Sequence, residues 1–315
     1  MRKNYLLRLM IILVILPIAS SVAAGTRLTL MLDWFPNVDH LPIYVAGHQG
    51  YFAEEGLEIK ILSPSETSDA LKLAASGNVD IAVSYEPQTI IAAARGIDIT
   101  AFGRLIEHPL TTLLFLKDRG IQTPQDLEGK KIGYTVPGLM DVMLAAFAKL
   151  NDIRQYTPVN VGFAIVQSLT AGKVDAVMGP FKTYETVAMA HKGYAVEYFE
   201  LEKWGIPDYD ELIFVTGRKA ITENPKMMAA FSRAIDRAIA YSRANPTTAL
   251  EYYFKAVPEA DRKMESDAFK QTLPYYAHHQ MPDQKRWQQF ADFALKYGLI
   301  ETPVDVKTIL WSNGK

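Results

Sequence analysis

The stretch Leu32-Asp33-Trp34-Phe35-Pro36-Asn37-Val38-Asp39-His40 decides how the rest of the chain is interpreted. The apolar run before it predicts a strand over Arg27–Leu32, and Leu41–Phe52 predicts a helix that closes at Gly50. The quoted stretch is therefore a strand-to-helix loop. In open α/β sheets, ligands bind beyond the carboxyl ends of the strands, where such loops lie. Its carboxylate, aromatic, amide and imidazole groups suit a flat, nitrogen-rich small molecule.

A β-α-β-α-β order occurs twice along the chain, which indicates a diverged duplication. In the first unit the predicted elements are Arg27–Leu32, Leu41–Phe52, Leu57–Leu62, Asp69–Ser76 and Val79–Val83. In the second unit they are Lys131–Val136, Asp141–Leu150, Val159–Phe163, Ala164–Ala171 and Val174–Met178. The motif Gly-x-Val-Asp occurs at 77–80 and again at 172–175. Each unit predicts parallel strands joined by right-handed crossovers.

Two α/β lobes with a hinge and a cleft follow from this duplication. The strand-like runs Thr111–Leu116 and Leu212–Thr216 are expected to be the two crossings between the lobes. The predicted boundaries are 25–113 for the first part of lobe I, 114–213 for lobe II, and 214–315 for the rest of lobe I with the C-terminal helices. Those helices are expected to pack on a lobe and carry no chemistry. Closure of two lobes around a ligand is a standard use of this geometry.

Residues 1–24 predict a cleavable secretory signal peptide. They combine a basic start, a short apolar run and the small residues Val22-Ala23-Ala24 at the cleavage point. The apolar run is short for a membrane span, although an uncleaved anchor is the alternative. The chain has no cysteine, so it offers no disulfide and no site for a lipid. We therefore expect a periplasmic protein, with secretion to the medium as the alternative.

The charge balance and the motifs argue against several classes of function. Lys and Arg number 33 against 35 Asp and Glu, which gives a net charge of −2 and disfavours nucleic acid as a partner. The sequence contains no phosphate-binding loop, no Gly-x-Ser-x-Gly and no His-Glu-x-x-His motif. The six histidines are scattered. We therefore expect a binding protein without metal or cofactor, and not an enzyme.

The candidate ligand-binding residues follow predicted strands in both units or lie close to those strand ends. Each lobe offers an aromatic residue beside a carboxylate, Tyr85 with Glu86 and Tyr184 with Glu185. The predicted site comprises Asp33, Trp34, Phe35, Asn37, His40, Tyr44, Ser84, Tyr85, Glu86, Tyr134, Gly138, Tyr184 and Glu185.

Distinct roles are expected within this set. Trp34, Tyr85 and Tyr134 would stack on a ring. The carboxylates of Asp33, Glu86 and Glu185 would accept bonds from amino groups, with Asn37, His40 and Ser84 as further polar contacts. Recognition of an anion normally needs arginines or helix N-termini, and these loops hold few bases. An aminopyrimidine or a related ring fits this pattern best.

Structural alternatives apply to several of these residues. Trp34 and Phe35 could fill the lobe core, and Asp33 could cap the following helix. Glu86, beside Pro87, could offset a helix dipole. Glu185 could be solvated on a helix surface, and Tyr44 could pack in the core.

The sequence resembles a known family in several motifs. These are Leu32–Asn37 with His40, Pro42–Ala46, Gly50-Tyr51-Phe52 with Glu55-Gly56-Leu57, Ser84–Pro87, His108-Pro109-Leu110 and Leu127–Gly133. They resemble the thiamine-pyrimidine-precursor (ThiY-like) branch of periplasmic substrate-binding proteins of ABC transporters. The related eukaryotic thiamine-pyrimidine synthases look similar too. The resemblance covers most of the chain and is weakest in the C-terminal helices.

This resemblance implies a type II periplasmic binding protein fold with the ligand between the lobes. It also implies delivery of a formylaminopyrimidine to a membrane permease, which a separate ATPase drives. Separately, we expect a monomer. Riboflavin or another flat heterocycle is the alternative ligand, and a ligand-presenting sensor is a weaker alternative. A pyrimidine-forming synthase is the alternative from another class. The synthases carry a cysteine-rich run used with iron, which this chain lacks.

Overall fold

The computed structural model describes residues 25–311, so the predicted signal peptide over 1–24 lies outside the described residues. Ten strands occur within this range: β1 Thr26–Met31, β2 Leu57–Leu62, β3 Ile81–Ser84, β4 Ile99–Ile106, β5 Thr111–Leu116, β6 Lys131–Tyr134, β7 Thr157–Asn160, β8 Ala176–Phe181, β9 Val196–Glu200 and β10 Leu212–Gly217. They form two five-stranded sheets. None of the helices between residues 25 and 311 is long and apolar enough to cross a membrane.

Twelve α-helices accompany the two sheets within the same range. They are α1 Leu41–His48, α2 Tyr51–Glu54, α3 Asp69–Ala75, α4 Glu86–Ala94, α5 Met140–Leu150, α6 Ile165–Thr170, α7 Glu185–His191, α8 Arg218–Glu223, α9 Pro225–Ala244, α10 Pro246–Ala256, α11 Arg262–Thr272 and α12 Gln284–Tyr297. The helix predicted over Leu41–Phe52 is two helices. Gly50 separates them because its φ of +76° is left-handed, which a helix cannot continue.

The two sheets have the same topology. Their strand orders are β2-β1-β3-β10-β4 and β7-β6-β8-β5-β9. In each, the first three strands are parallel and the fourth is antiparallel to both neighbours. The predicted duplication is therefore present in the fold. Strand β7 begins two residues earlier than the predicted Val159–Phe163.

The repeated Gly-x-Val-Asp motif has the same structural role in both units. Oδ2 of Asp80 accepts a bond of 2.7 Å from the Thr29 amide of β1. Oδ2 of Asp175 accepts a bond of 3.0 Å from the Lys131 amide at the start of β6. Each aspartate lies just before the third strand of its unit and bonds to the first strand, so it holds the two strands together.

The crossings between the lobes differ from the expectation. Thr111–Leu116 and Leu212–Thr216 are not crossings, because each pairs along its length with strands of a single sheet. The chain crosses in the short segments before them, and Glu211 joins the two. Its Oε2 accepts from the amides of Leu110 at 2.6 Å and Thr111 at 2.7 Å. The predicted lobe boundaries at residues 113 and 213 stay a prediction.

Candidate functional site

A cleft with about 360 Å³ of space between its walls, part of which is open to solvent, lies between the two sheets. The first lobe lines it with the loop after β1, with Tyr85 after β3 and with Leu212 of β10. The second lobe lines it with Thr135 after β6, the end of β8 and the starts of α6 and α7. Most of its polar groups follow the carboxyl ends of parallel strands, the position where α/β sheets bind ligands.

Asp33 is held at the centre of the first-lobe wall. The side chain is 3 % exposed, and its Oδ1 accepts from His40 Nε2 at 2.8 Å. Its Oδ2 accepts from the Tyr85 hydroxyl at 2.6 Å. Both oxygens therefore have partners from this wall, and Asp33 orients an imidazole and a phenol that also line the cavity.

Asp39 is a buried acid of the same loop. Its Oδ1 accepts from Thr272 Oγ1 at 2.9 Å, whereas its Oδ2 has no hydrogen-bond partner among residues 25–311. Nδ1 of His40 is likewise buried without a partner in that range. Burial raises the pKa of Asp39 to about 7, and the neighbouring His40 opposes part of this rise. The loop thus presents unused hydrogen-bonding capacity at the cavity.

Glu185 forms the acidic part of the second-lobe wall. Its Oε2 accepts a bond of 2.7 Å from the Phe181 amide, which fixes the carboxyl at the start of α7. Burial raises the pKa of Glu185 to about 7, against the lowering effect of that bond. The solvated-surface alternative does not describe this carboxyl, because it lines the cavity.

An aromatic cluster joins the two lobes at the edge of the cavity. The ring centroid of Trp34 lies 4.6 Å from that of Phe163, and the centroid of Phe35 lies 4.4 Å from it. Trp34 also lines the cavity, whereas Phe35 is 50 % exposed. Trp34 is therefore available both to a ligand and to the opposite lobe.

The C-terminal helices hold the loop that carries the site, contrary to the expectation that they only pack. Oε2 of Glu265 in α11 accepts from the Val38 amide at 3.1 Å. The Tyr276 hydroxyl donates to the Val38 carbonyl, and the Tyr253 hydroxyl donates to the Pro36 carbonyl. With the Thr272–Asp39 bond, four side chains from residues 253–276 fix residues 36–39. Periodicity alone did not reveal this role.

The structure brings seven of the thirteen predicted site residues to the cavity wall. These are Asp33, Trp34, Asn37, His40, Tyr85, Tyr184 and Glu185. The other predicted residues lie outside the lining: Phe35, Tyr44, Ser84, Glu86, Tyr134 and Gly138.

Local contacts occupy most of these six residues. The Tyr44 ring packs against Tyr253, and the Ser84 hydroxyl donates to Gln88. Glu86 faces the hinge, where its Oε2 accepts from the Asp210 amide at 2.7 Å. The amide of Gly138 donates to Asp141 at the start of α5, and Tyr134 is partly buried at the end of β6. A direct ligand contact by any of the thirteen remains a prediction.

Several lining residues lie outside the predicted site set: Asp39, Thr135, Ile165, Gly179, Phe181 and Leu212. Gly179 has a detectable signal, because it interrupts the apolar strand β8. Its φ is +124°, and an added Cβ would lie 2.0 Å from Thr135 Oγ1. The cavity floor therefore requires glycine here.

Four acids of the cleft and hinge predict that stability falls as pH rises. Burial raises the pKa values of Asp39, Glu185, Glu211 and Glu265 to about 7. Below their ordinary pKa values near 4 these groups are protonated in both the folded and the unfolded chain. There they do not change the free energy of unfolding with pH. As pH rises towards 7, the unfolded chain ionises first, and the folded state loses relative stability. We expect the ligand-free protein to lose more than ~1 kcal/mol of unfolding free energy between about pH 5.5 and pH 8.

Denaturant unfolding at the two pH values measures this loss. Asp39→Asn keeps an acceptor for Thr272 and removes one titrating group, so the difference should shrink. A wild-type protein that is more stable at about pH 8 than at pH 5.5 would contradict this ionisation scheme.

Comparison with known protein families identifies the chain. A family profile described as NMT1/THI5 like matches residues 37–249. The chain belongs to this family. A Haemophilus influenzae protein named as a thiamine biosynthesis protein is 36% identical over 291 residues, covering 90% of this chain and 91% of that protein. The formylaminopyrimidine-binding protein of Halalkalibacterium halodurans is 29% identical over 296 residues, with 91% and 90% of the chains covered.

Synthases are also among the relatives of this NMT1/THI5-like chain. The 4-amino-5-hydroxymethyl-2-methylpyrimidine phosphate synthase of Legionella pneumophila is 27% identical over 286 residues, covering 89% of this chain and 90% of that protein. Sequence similarity to the family thus extends over proteins with binding and enzymatic names.

Solved structures confirm the predicted fold class. The alkanesulfonate-binding protein SsuA of Xanthomonas axonopodis superposes with a TM-score of 0.73 at 17% identity, covering 92% of this chain and 99% of that one. At this identity the likeness shows the fold alone. The chain therefore has the periplasmic binding protein fold.

Proposed function

We propose that this protein binds an amino-substituted pyrimidine of the formylaminopyrimidine type in the interlobe cavity and releases it to an ABC permease. The observation that carries the proposal is the chemistry of the cavity wall. Three carboxyl groups, Asp33, Asp39 and Glu185, share it with the rings of Trp34, Tyr85 and Tyr184. The relative named as a formylaminopyrimidine-binding protein supports the same ligand.

The polar groups of the wall favour a ligand that donates hydrogen bonds. Among the described residues, no lysine or arginine lines the cavity. An anion such as a sulfonate or nitrate would lie beside acidic groups without a compensating cation. No favourable interaction would then offset the free-energy cost of removing the anion from water. An exocyclic amino group and a ring nitrogen can instead donate to a carboxylate and accept from a hydroxyl or imidazole. The aromatic side chains supply flat faces for the ring.

The proposed setting is the periplasm, which the predicted signal peptide and the periplasmic binding protein fold of the structural neighbours support. There the protein would act as a non-enzymatic carrier. Closure of the lobes around the ligand would produce the surface that a permease recognises. Gene neighbours encoding a permease and an ATPase would support this setting.

Calorimetric titration with a formylaminopyrimidine tests the ligand directly. We expect saturable heat at micromolar concentrations, on the order of −8 kcal/mol in binding free energy. No heat at high micromolar ligand would reject this substrate and leave the fold unaffected. Riboflavin, the alternative flat ligand, should not bind and so should not quench the intrinsic fluorescence of the protein.

Trp34→Ala should weaken ligand binding by at least ~1 kcal/mol, because the variant removes one aromatic wall. Trp34 also contacts Phe163, so Phe163→Ala is the matched variant, which removes the lobe contact but no lining residue. Titrations of both variants separate the two roles. Equal losses in the two variants would assign Trp34 to lobe contact alone.

A synthase activity is the second candidate, since relatives named as pyrimidine phosphate synthases match most of the chain. The absence of cysteine disfavours it, because the resemblance assigns a cysteine-rich run to those enzymes. Incubation with ferrous iron discriminates between the two candidates. A pyrimidine product formed at the expense of a histidine or a bound cofactor would favour the enzyme.

A further inference from the structure

One acid on a C-terminal helix contacts both lobes. Helix α11 begins after Asp261, whose side chain accepts from the amides of Lys263 and Met264. Its buried residues are Glu265, Ala268, Phe269 and Thr272, which lie on one face of the helix. Glu265 is 3 % exposed, so a carboxyl group occupies a position where this face would ordinarily bury an apolar side chain. A buried carboxyl needs specific partners.

The partners of Glu265 come from different lobes. Its Oε2 accepts from the Val38 amide at 3.1 Å, within the first-lobe loop that lines the cavity. Its Oε1 accepts from the Tyr184 hydroxyl at 2.8 Å, and Tyr184 follows β8 in the second sheet. Tyr184 is next to Glu185, and both line the cavity. One carboxyl therefore fixes the ligand loop and the opposite wall together.

We propose that Glu265 is a positioning residue that couples lobe closure to the shape of the ligand loop, with Tyr184 as its closing partner. Three other side chains from residues 253–276 hold the same loop, so the Val38 bond should persist when the lobes separate. The Tyr184 bond spans the cleft, so it exists only when they close. Closure thereby places Glu185 over a cavity whose opposite wall is already set. The inference rests on the proposed binding function and adds residues that hold the closed state.

A second contact between the same two helices provides a matched control. His191 at the end of α7 pairs with Asp267 of α11 at 3.1 Å. These side chains are 22% and 40% exposed, so solvent screens the pair. The Tyr184–Glu265 bond is part-buried, with the carboxyl 3 % exposed, so it is better shielded from water and should contribute more to closure. The two pairs therefore separate the proposed latch from an ordinary surface contact.

Closure can be observed on single molecules, because the chain has no native cysteine to interfere with labelling. Asn78→Cys and Lys173→Cys place one dye on each lobe, at equivalent exposed positions of the two Gly-x-Val-Asp motifs. Energy transfer between the dyes then reports how long the closed state lasts, without ligand and with a formylaminopyrimidine.

Tyr184→Phe should shorten the ligand-free closed state about tenfold, because it removes the hydroxyl that bonds to Glu265. Glu265→Gln should shorten it less, because its single amide oxygen can still accept from one of the two donors. The double variant should be no worse than Tyr184→Phe alone, since that variant already lacks the bond between the lobes. Asp267→Asn should match the wild-type protein.

Two results would overturn the inference. One is an unchanged closed-state lifetime in Tyr184→Phe, and the other is an equal shortening in Asp267→Asn. If the wild-type protein ignores the formylaminopyrimidine, the proposed ligand fails, and the ligand-free closures still compare the variants. A wild-type protein with no closed state under either condition would contradict the latch itself, because the bond exists only in that state.

Discussion

Replacing Glu185 by alanine is expected to weaken ligand binding by about 2–5 kcal/mol, at least about 30-fold in Kd. The carboxyl lines the cavity, and its bond to the Phe181 amide fixes its position. Its loss leaves an amino group of the bound ligand without an acceptor in a closed site. Such unpaired donors cost more than the bond itself contributes. Calorimetric titration of the folded variant measures the loss.

Two further variants define the cause. Glu185→Gln keeps an acceptor for the Phe181 amide and removes the charge, so an intermediate loss indicates a ligand that donates from a neutral amino group. A loss as large as that of alanine indicates a protonated ligand. Glu197→Ala removes an exposed carboxyl of the same lobe and should leave affinity unchanged. Wild-type affinity in Glu185→Ala would remove Glu185 from the site.

Replacing Arg104 by methionine should lower the free energy of unfolding by about 3–5 kcal/mol. Asp210 at the hinge is fully buried, and its carboxylate accepts from Arg104 Nη1 at 3.0 Å and Trp287 Nε1 at 2.7 Å. Arg286 also contacts it. Burial, and then the charge of Asp210, raise the pKa of the adjacent Glu86, which favours a neutral Glu86. Without Arg104, the buried Asp210 carboxylate keeps Arg286 but loses one of the two cations that balance its charge.

Urea unfolding measures this cost. The control is Arg27→Met, which breaks the exposed Arg27–Glu58 pair, with side-chain exposures of 71% and 58%, and should change stability by less than ~1 kcal/mol. If Arg104→Met loses no more than Arg27→Met, the hinge cluster does not hold the fold. Ligand affinity of the folded variant then tests whether the hinge also biases closure.

Local signals predicted most of the fold correctly. Apolar alternation located β1, and β2 and β5 have the predicted bounds. Gly77, with positive φ, follows helix α3 as predicted, whereas Gly50, also with positive φ, divides the predicted Leu41–Phe52 helix in two. The duplicated order appears as two sheets of the same topology. The crossings were wrong because an apolar run has the same pattern whether it joins lobes or pairs as an inner strand.

The site was predicted only where one rule applied, that ligands lie beyond strand ends. That rule gathered Asp33, Tyr85 and Glu185 from positions far apart in the sequence. It could not distinguish Glu86, which also follows a strand but faces Asp210 across the hinge. Strand ends give the edge on which a side chain lies, whereas its direction depends on what packs against it.

The sequence by itself determined the two α/β units, the loop that carries the site and the acidic, aromatic character of the cleft, because these depend on local periodicity and residue type. Tertiary structure alone decided which residues the buried acids contact. Glu265 bonds to Val38, which is 227 positions away in the sequence, and to Tyr184, which is 81 positions away. No local pattern encodes such pairs, since burial and hydrogen bonding are set by the packing of the α11 helix against both lobes.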